Sequence, residues 1–446
     1  MTTTTPKTAA NADKPGRSRL LINRNYSLLF VGQAISVIGD QISTYTMLMW
    51  IVLVITVGQP WAPLALSAVM VTGMLPNLFI GPIAGVFVDR WNHRHTMFYM
   101  DAIRAGLILV LLLFTNIVPL PFFANGKVPA LWQFVMICIV TFGVSTCAQF
   151  FSPAYVGLVG KIVEEEKRPQ AIGWNQSITA FASIIGPPLA APLLISLGIQ
   201  WALIIDFLSY IASLITLWAI HTPEPAFRAT TSASVLSEML TGVRFAFGNE
   251  AIRMLIIISA IGALGAGAVQ ALYIFFIQYN LHADVKLAGI IGAIIGVGTI
   301  IGALLAARVC RVLGTKRTLY LSLLLFGILI LVFSRQVNFW LALPVVFLIG
   351  MVQAAMRVAV GPILLKETPQ TMIGRVISVM TPIATVTSLL STTLAGSLAS
   401  VLLLSFSTSF LGMRFTAIDT IFVAVGGIFL LAALYAYSAS RKLKNL

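Results

Sequence analysis

The chain has 446 residues, 59% of them apolar and only 9% charged, with a formal net charge of +14. Soluble domains carry roughly 25% charged residues, so this composition excludes an ordinary soluble protein. The basic excess would suit nucleic acid in a soluble chain, but here Lys and Arg alternate from one connection to the next, the pattern of a chain threaded repeatedly through a bilayer.

A crossing needs about 20 apolar residues. Hydropathy predicts twelve: 26–56, 62–88, 96–118, 130–152, 171–196, 201–220, 253–279, 286–308, 316–334, 338–360, 374–404 and 416–439. One set of connections is basic: Lys7, Lys14, Arg17, Arg19 and Arg24; Arg90 and Arg94; Lys161, Lys167 and Arg168; Arg228, Arg244 and Arg253; Arg308, Arg311, Lys316 and Arg317; Lys366 and Arg375; Arg441, Lys442 and Lys444. The intervening set offers only Lys127, Lys286, Arg335 and Arg414. By the positive-inside rule both termini are cytoplasmic, which an even number of crossings satisfies. Residues 1–24 and 441–446 read as cytoplasmic tails, the first disordered, and the basic rim implies anionic lipid as a partner rather than nucleic acid.

In the first crossing Gln33, Ser36, Asp40, Thr44 and Met47 recur every three or four residues, which predicts a polar face lining a cavity. A charged carboxylate at mid-helix costs about 2.5–3.5 kcal/mol on insertion scales, so Asp40 is the first choice for a residue that takes up and releases protons. The alternative is a hydrogen-bonded structural Asp.

Between the second and third crossings the stretch from Gly81 to Arg94 concentrates charge at the mouth of a helix. It resembles the loop of the major facilitator superfamily written G-x-x-x-D-R-x-G-R-R. Gly85, Asp89, Arg90 and Arg94 match, whereas Asn92 and His93 depart from it. The resemblance implies a conformational switch, with Gly85 allowing close helix approach and Asp89 set against the N-terminal end of the eleventh helix near Gly374–Ile377.

Asp101 and Arg104, three apart on the third crossing, can form an internal ion pair; they either neutralise each other or relay protonation. The fourth crossing carries Thr141, Ser145 and Gln149 with Cys138 and Cys147, expected as packing thiols, and ends near Pro153. The fifth holds Gly173, Ala182, Gly186, Pro187, Ala190 and Ala191, similar to the superfamily's antiporter motif G-x8-G-x3-G-P-x2-G-G with three glycines replaced by alanine. The motif implies an exporter, with small residues packing at the junction of the two halves. Asp206 in the sixth crossing reads as structural.

Residues 221–250 form the longest polar connection. They read as a cytoplasmic linker whose Leu236, Met239, Leu240, Val243 and Phe247 share one helical face, either a helix on the inner membrane surface or a plain tether. It separates residues 25–220 from 251–440. The second half echoes the first: Gly298, Gly302, Arg311, Gly314, Lys316 and Arg317 follow the eighth crossing, and Pro362, like Pro153, precedes a basic stretch. Gln270, Tyr273, Gln353, Thr381, Thr385 and Ser388 supply further neutral polar stripes, and Arg357 reads as snorkelling near the end of the tenth crossing.

No H-E-x-x-H, G-x-S-x-G or G-x-x-x-x-G-K-[ST] occurs, so no catalytic residue, metal or cofactor is expected. The expected fold is an all-α membrane protein, twelve transmembrane helices in two pseudo-symmetric six-helix bundles. The resemblance covers residues 20–440 and is closest to bacterial drug:proton antiporters that include macrolide and siderophore exporters. It implies a monomer in the bacterial inner membrane exporting a hydrophobic or amphiphilic small molecule in exchange for protons. Uptake, lysolipid flipping, or a receptor or assembly protein on the same fold are the alternatives.

Overall fold

The computed structural model describes residues 22–442 apart from 89, 118, 120, 122, 124–125, 221–242, 370–371, 403–406 and 411–412. Twelve helices among them are long and apolar enough to cross a bilayer. They are α1 (Arg24–Trp50, continued by a π turn Ile51–Ile55), α2 (Ala62–Phe79, followed by a short helix Gly81–Val88), α3 (His93–Leu113), α4 (Ala130–Ile162), α5 (Arg168–Ser196), α6 (Ile199–Ala219), α7 (Glu250–Tyr279), α8 (Ala288–Leu313), α9 (Thr315–Ser334), α10 (Phe339–Glu367), α11 (Ile373–Leu402) and α12 (Ala417–Lys442). A two-stranded antiparallel hairpin, β1 (Ser407–Phe410) and β2 (Met413–Thr416), falls between α11 and α12 in the chain.

Asparagines start four of the helices. Asn23, Asn92, Asn249 and Asn338 each turn a side-chain oxygen to backbone N–H groups in the first turn of α1, α3, α7 and α10. Asn92, a departure from the family loop, therefore has a local reason: it caps α3 through Arg94 and His95. Neither Pro153 nor Pro362 ends its helix. α4 continues to Ile162 and α10 to Glu367, beyond the predicted limits of 152 and 360, because a proline inside the bilayer removes one donor without offering the neighbouring groups any solvent alternative to the helix.

Helix pairing repeats between the halves. In the first, α1 packs on α5 and α6, α4 on α2 and α3, and α3 on α6; in the second, α7 packs on α11 and α12, α10 on α8 and α9, and α9 on α12. The halves are joined by α2 on α11 and α5 on α8, contacts that exchange under the same repeat.

These joints lie at one end of the molecule and are made by glycines. A Cβ on Gly289 of α8 would lie 2.6 Å from the Pro187 carbonyl oxygen and 2.7 Å from Pro188 Cα, and one on Gly292 would lie 2.7 Å from Pro187 Cβ. Across the other joint, a Cβ on Gly396 of α11 would lie 2.0 Å from Ser67 Oγ and 2.9 Å from the Pro63 carbonyl oxygen. Bare backbone on one side thus receives the neighbouring helix on the other.

One buried apolar cluster, including Met47, Leu66, Leu272 and Ala395, runs through both halves. At the opposite end the buried clusters separate. Tyr26, Val88, Met97, Phe151, Leu158 and Ile220 belong to the first half alone, and Ala246, Ile252, Ile256, Val376 and Val379 to the second. The bundles are closed at one end and parted at the other.

The expected linker helix and N-terminal tail fall mostly outside the described residues. Residues 243–248 are helical, with Ala246 buried, Val243 packed against the second half and Phe247 exposed.

Overpacking a close helix contact costs about 1–3 kcal/mol, enough to move a two-state population by roughly 5–150-fold. Gly289→Ala combined with Gly292→Ala should therefore part the closed end. Spin-label distances between the α5–α6 and α7–α8 connections are expected to lengthen, and unchanged distances would show that the joint tolerates methyl groups.

Candidate functional site

Small residues bring α1 against α6. A Cβ on Gly32 would lie 2.0 Å from Thr216 Oγ1, and one on Gly39 would lie 2.4 Å from Ser209 Oγ and 3.2 Å from Asp206 Oδ1. Ser36 and Ser43, on the same helical face, are buried. This contact sets Asp40 beside Tyr210, whose hydroxyl donates to Asp40 Oδ1. It also brings the carboxyl groups of Asp40 and Asp206 within hydrogen-bonding reach of each other.

The third helix supplies the countercharge. Arg104 Nη1 lies 3.4 Å from Asp101 Oδ1, and Ser213 Oγ donates to Asp101 Oδ2 at 2.6 Å. The guanidinium carbon is 5.0 Å from the Phe151 ring centroid and 5.8 Å from that of Tyr210, distances suited to cation–π attraction. Arg104 is 5% exposed and Asp101 fully buried, and Arg104 Nε has no acceptor among the described residues. Asp40 and Asp206 also fall within electrostatic reach of this guanidinium. Three carboxyl groups from α1, α3 and α6 thus surround one cation.

Asp40 and Asp206 open onto a cavity of about 230 Å³; Asp101 and Arg104 do not. Its wall is mainly apolar, with Met47, Met70 and Met74 among the contributors. Neutral polar groups come from Thr44, Thr141, Ser145 and Gln270, the last from the second half. Methionine-rich apolar walls with a few polar groups adapt to varied organic ligands.

The polar face predicted on α1 is divided by this arrangement. Asp40, Thr44 and Met47 line the cavity, whereas Ser36 is buried on the face toward α6, and Gln33 keeps a buried oxygen without a partner among the described residues. Of the other predicted cavity residues Gln270 reaches the wall. Gln149 lies against Gly81, Tyr273 packs against the buried apolar cluster, Thr385 donates to the Thr381 carbonyl at 3.0 Å, and Gln353 is half-buried on α10. Asp206, read from sequence as structural, belongs on the wall. Its signal was an uncompensated acid inside a crossing.

Arg94 donates from Nε to the Leu217 carbonyl and from Nη2 to that of Trp218, both at 2.7 Å, closing the C-terminal end of α6. Arg90 is exposed, and Asp89, with its predicted latch on α11, lies outside the described residues. No described atom comes within 4 Å of a Cβ placed on Gly85 or Gly173, so neither marks the close approach that the motifs implied. On α5, Ala182, Ala190 and Ala191 are fully buried. A Cβ on Gly186 would lie 2.9 Å from Gln41 Cβ on α1 and so would not meet the second half; the joint to α8 is made by Ile184, Pro187 and Pro188. The helical turn separates them, because adjacent positions point about 100° apart.

The family model described as Major Facilitator Superfamily matches residues 29–392 and 255–444. The chain belongs to that superfamily. Among its superfamily relatives is the Bacillus subtilis (strain 168) protein named "Uncharacterized MFS-type transporter YkuC", 26% identical over 320 residues, 69% of this chain and 71% of that protein. Macrolide efflux protein A of Streptococcus pyogenes is 25% identical over 236 residues, 52% of this chain and 54% of that protein. The chain thus spans about half the length of the macrolide efflux relative. Of solved structures, a bacterial homologue of the iron transporter ferroportin in an inward-facing state shares the fold with a TM-score of 0.68 and 15% identity, covering 96% of this chain and 99% of that one. A bacterial homologue of the human lysosomal transporter Spinster gives 0.66 with 14% identity, covering 96% and 98%. As a superfamily member the chain is a multi-pass membrane transporter.

Breaking a buried ion pair from one side leaves an uncompensated charge, at a cost of about 3–5 kcal/mol. Arg104→Gln should therefore lower thermal stability in detergent. Adding Asp101→Asn to it should restore part of the loss, since both charges are then gone. A double variant no more stable than Arg104→Gln alone would show that the pair carries little of this energy.

Proposed function

We propose that this transporter exports a hydrophobic or amphiphilic small molecule by alternating access, driven by protons that bind at Asp40. The observation that carries the reading is the cavity itself: an adaptable apolar wall interrupted by a carboxyl group that is hydrogen-bonded to Tyr210 and near Arg104. Few fixed charges suit a bulky organic compound better than a sugar or phosphate. The likeness to a macrolide efflux protein supports the same class.

The basic connections fall at the parted end. Arg94 and Arg168 are there in the first half, and Arg253, Lys316 and Arg375 in the second. Positive-inside topology assigns that end to the cytoplasm, and with it both chain termini and a rim for anionic lipid, in the cell membrane. The structure then corresponds to the inward-open state, and closure of the parted end against opening of the glycine joints is the transport movement. The Asp101–Arg104 pair serves as a fixed countercharge and positions Tyr210, while Gly85, Asp89, Arg90 and Arg94 take the role of the family's switch.

One proton per neutral molecule is sufficient. A charge crossing 100 mV releases about 2.3 kcal/mol and one pH unit about 1.4, which together hold a gradient of several hundredfold. Asp40→Asn keeps size and polarity but cannot exchange a proton. It should insert normally and lose uphill export, measured with a panel of lipophilic drugs in inverted vesicles under an imposed proton gradient. Wild-type accumulation by the variant would remove Asp40 from coupling.

A further inference from the structure

We infer that Asp40 and Asp206 hold a single proton between them, forming a two-carboxyl proton site on the cavity wall. The inference deepens the proton-coupled reading above and rests on it for its role in transport. The two groups come from different helices, α1 and α6, are within hydrogen-bonding reach, and both open to the cavity. Gly39 is what permits the approach, since any side chain there would strike Ser209 and the Asp206 carboxylate. Two carboxyls this close repel each other when both are ionised and bond strongly when one retains its proton.

The neighbouring charges point the same way. Asp101 lies 3.4 Å from Arg104 Nη1, accepts from the Ser213 hydroxyl and does not line the cavity. Tyr210 on α6 donates to Asp40, Ser209 lies 3.5 Å from Asp206 Oδ1, and Arg104 on α3 faces the pair with Asp101 and Cys147 beside it. α2 and α7 bring only neutral residues, Val69, Met70, Gly73, Met74 and Gln270, to the wall. A second observation singles out the locus: Arg104 Nε, on a residue only 5% exposed, lacks a hydrogen-bond partner among the described atoms, and Asp206 lies within electrostatic reach of Arg104. With Arg104 divided among three acids, one proton removes the repulsion that the protein's own groups leave.

The test uses the full chain purified into lipid nanodiscs. Dicyclohexylcarbodiimide modifies protonated carboxyls in apolar surroundings: the O–H adds across one C=N bond, the proton passes to nitrogen and nothing leaves. At neutral pH a shared proton yields one adduct per chain, found on Asp40 in some molecules and Asp206 in others. Adducts on both residues of one chain, or on Asp40 alone, would overturn the pair. Infrared spectra supply the second arm. The carbonyl stretch of a protonated carboxyl should be present in the wild type and absent from both Asp40→Asn and Asp206→Asn, whose remaining carboxylate has an amide, rather than an anion, for a neighbour. A band that survives Asp206→Asn unchanged would also overturn it. Because both arms are equilibrium measurements, a chain that shows the shared proton yet moves no compound uphill sinks the transport reading and leaves the pair intact. Proton-driven export with the band retained in Asp206→Asn does the reverse.

Discussion

Arg104 is a full charge held inside a membrane protein, and the first six helices are arranged around the need to neutralise it. An unpaired guanidinium at that depth would be costly by insertion measurements, and the chain answers with Asp101 on the same helix, aromatic faces from Phe151 and Tyr210, and two further carboxyls from α1 and α6. Those acids can come near only because α1 lacks side chains at Gly32 and Gly39, where it crosses α6. The glycines, the hydroxyls lining the same face and the charges are therefore one solution to one problem. Helix packing supplies the proximity and electrostatics supplies the reason for it.

The second constraint lies at the joint between halves, where association has no hydrophobic gain to draw on because lipid is as apolar as the helices. Contact depends on shape. Glycines of α8 and α11 accept Pro187, Pro188, Pro63 and Ser67 at backbone distance, and such joints have a closed arrangement and an open one with little between. The corresponding surfaces at the other end, built around Tyr26 and Phe151 in one half and Ile252 and Val376 in the other, are buried within their own bundle. Buried packing at that end is therefore internal to each half, whereas the contacts between halves are made through small residues.

Much of the architecture was legible in the sequence, because a bilayer makes hydropathy and loop charge decisive: twelve spans were predicted and twelve helices fit them. The ends were less legible where proline intervened, since Pro153 and Pro362 look like terminators until the absence of water around them is considered. At the site, periodicity found the face of α1 but could not tell which polar residues were committed to a neighbour. Ser36 and Asp40 are four apart, and the 40° between them separates a helix contact from a cavity wall. Gly186 and Pro187 show the same limit, one meeting α1 and the other α8. Asp206 was missed because its importance is relational: only the fold brings it to Asp40.

That relation also explains why the acids divide in two roles. Asp101 is sealed away from the cavity beside Arg104 and the Ser213 hydroxyl. Asp40 and Asp206 share what remains of the guanidinium's field and face the cavity of about 230 Å³. On the proposed reading, a guest entering that space displaces water from the pair and alters the stability of its charge, while a proton arriving there removes the charge to which a polar guest would bind. Either event changes the free energy of the other by the same amount, as linkage requires. Coupling then needs no relay through the protein, only one small site whose two ligands cannot both be held at full strength.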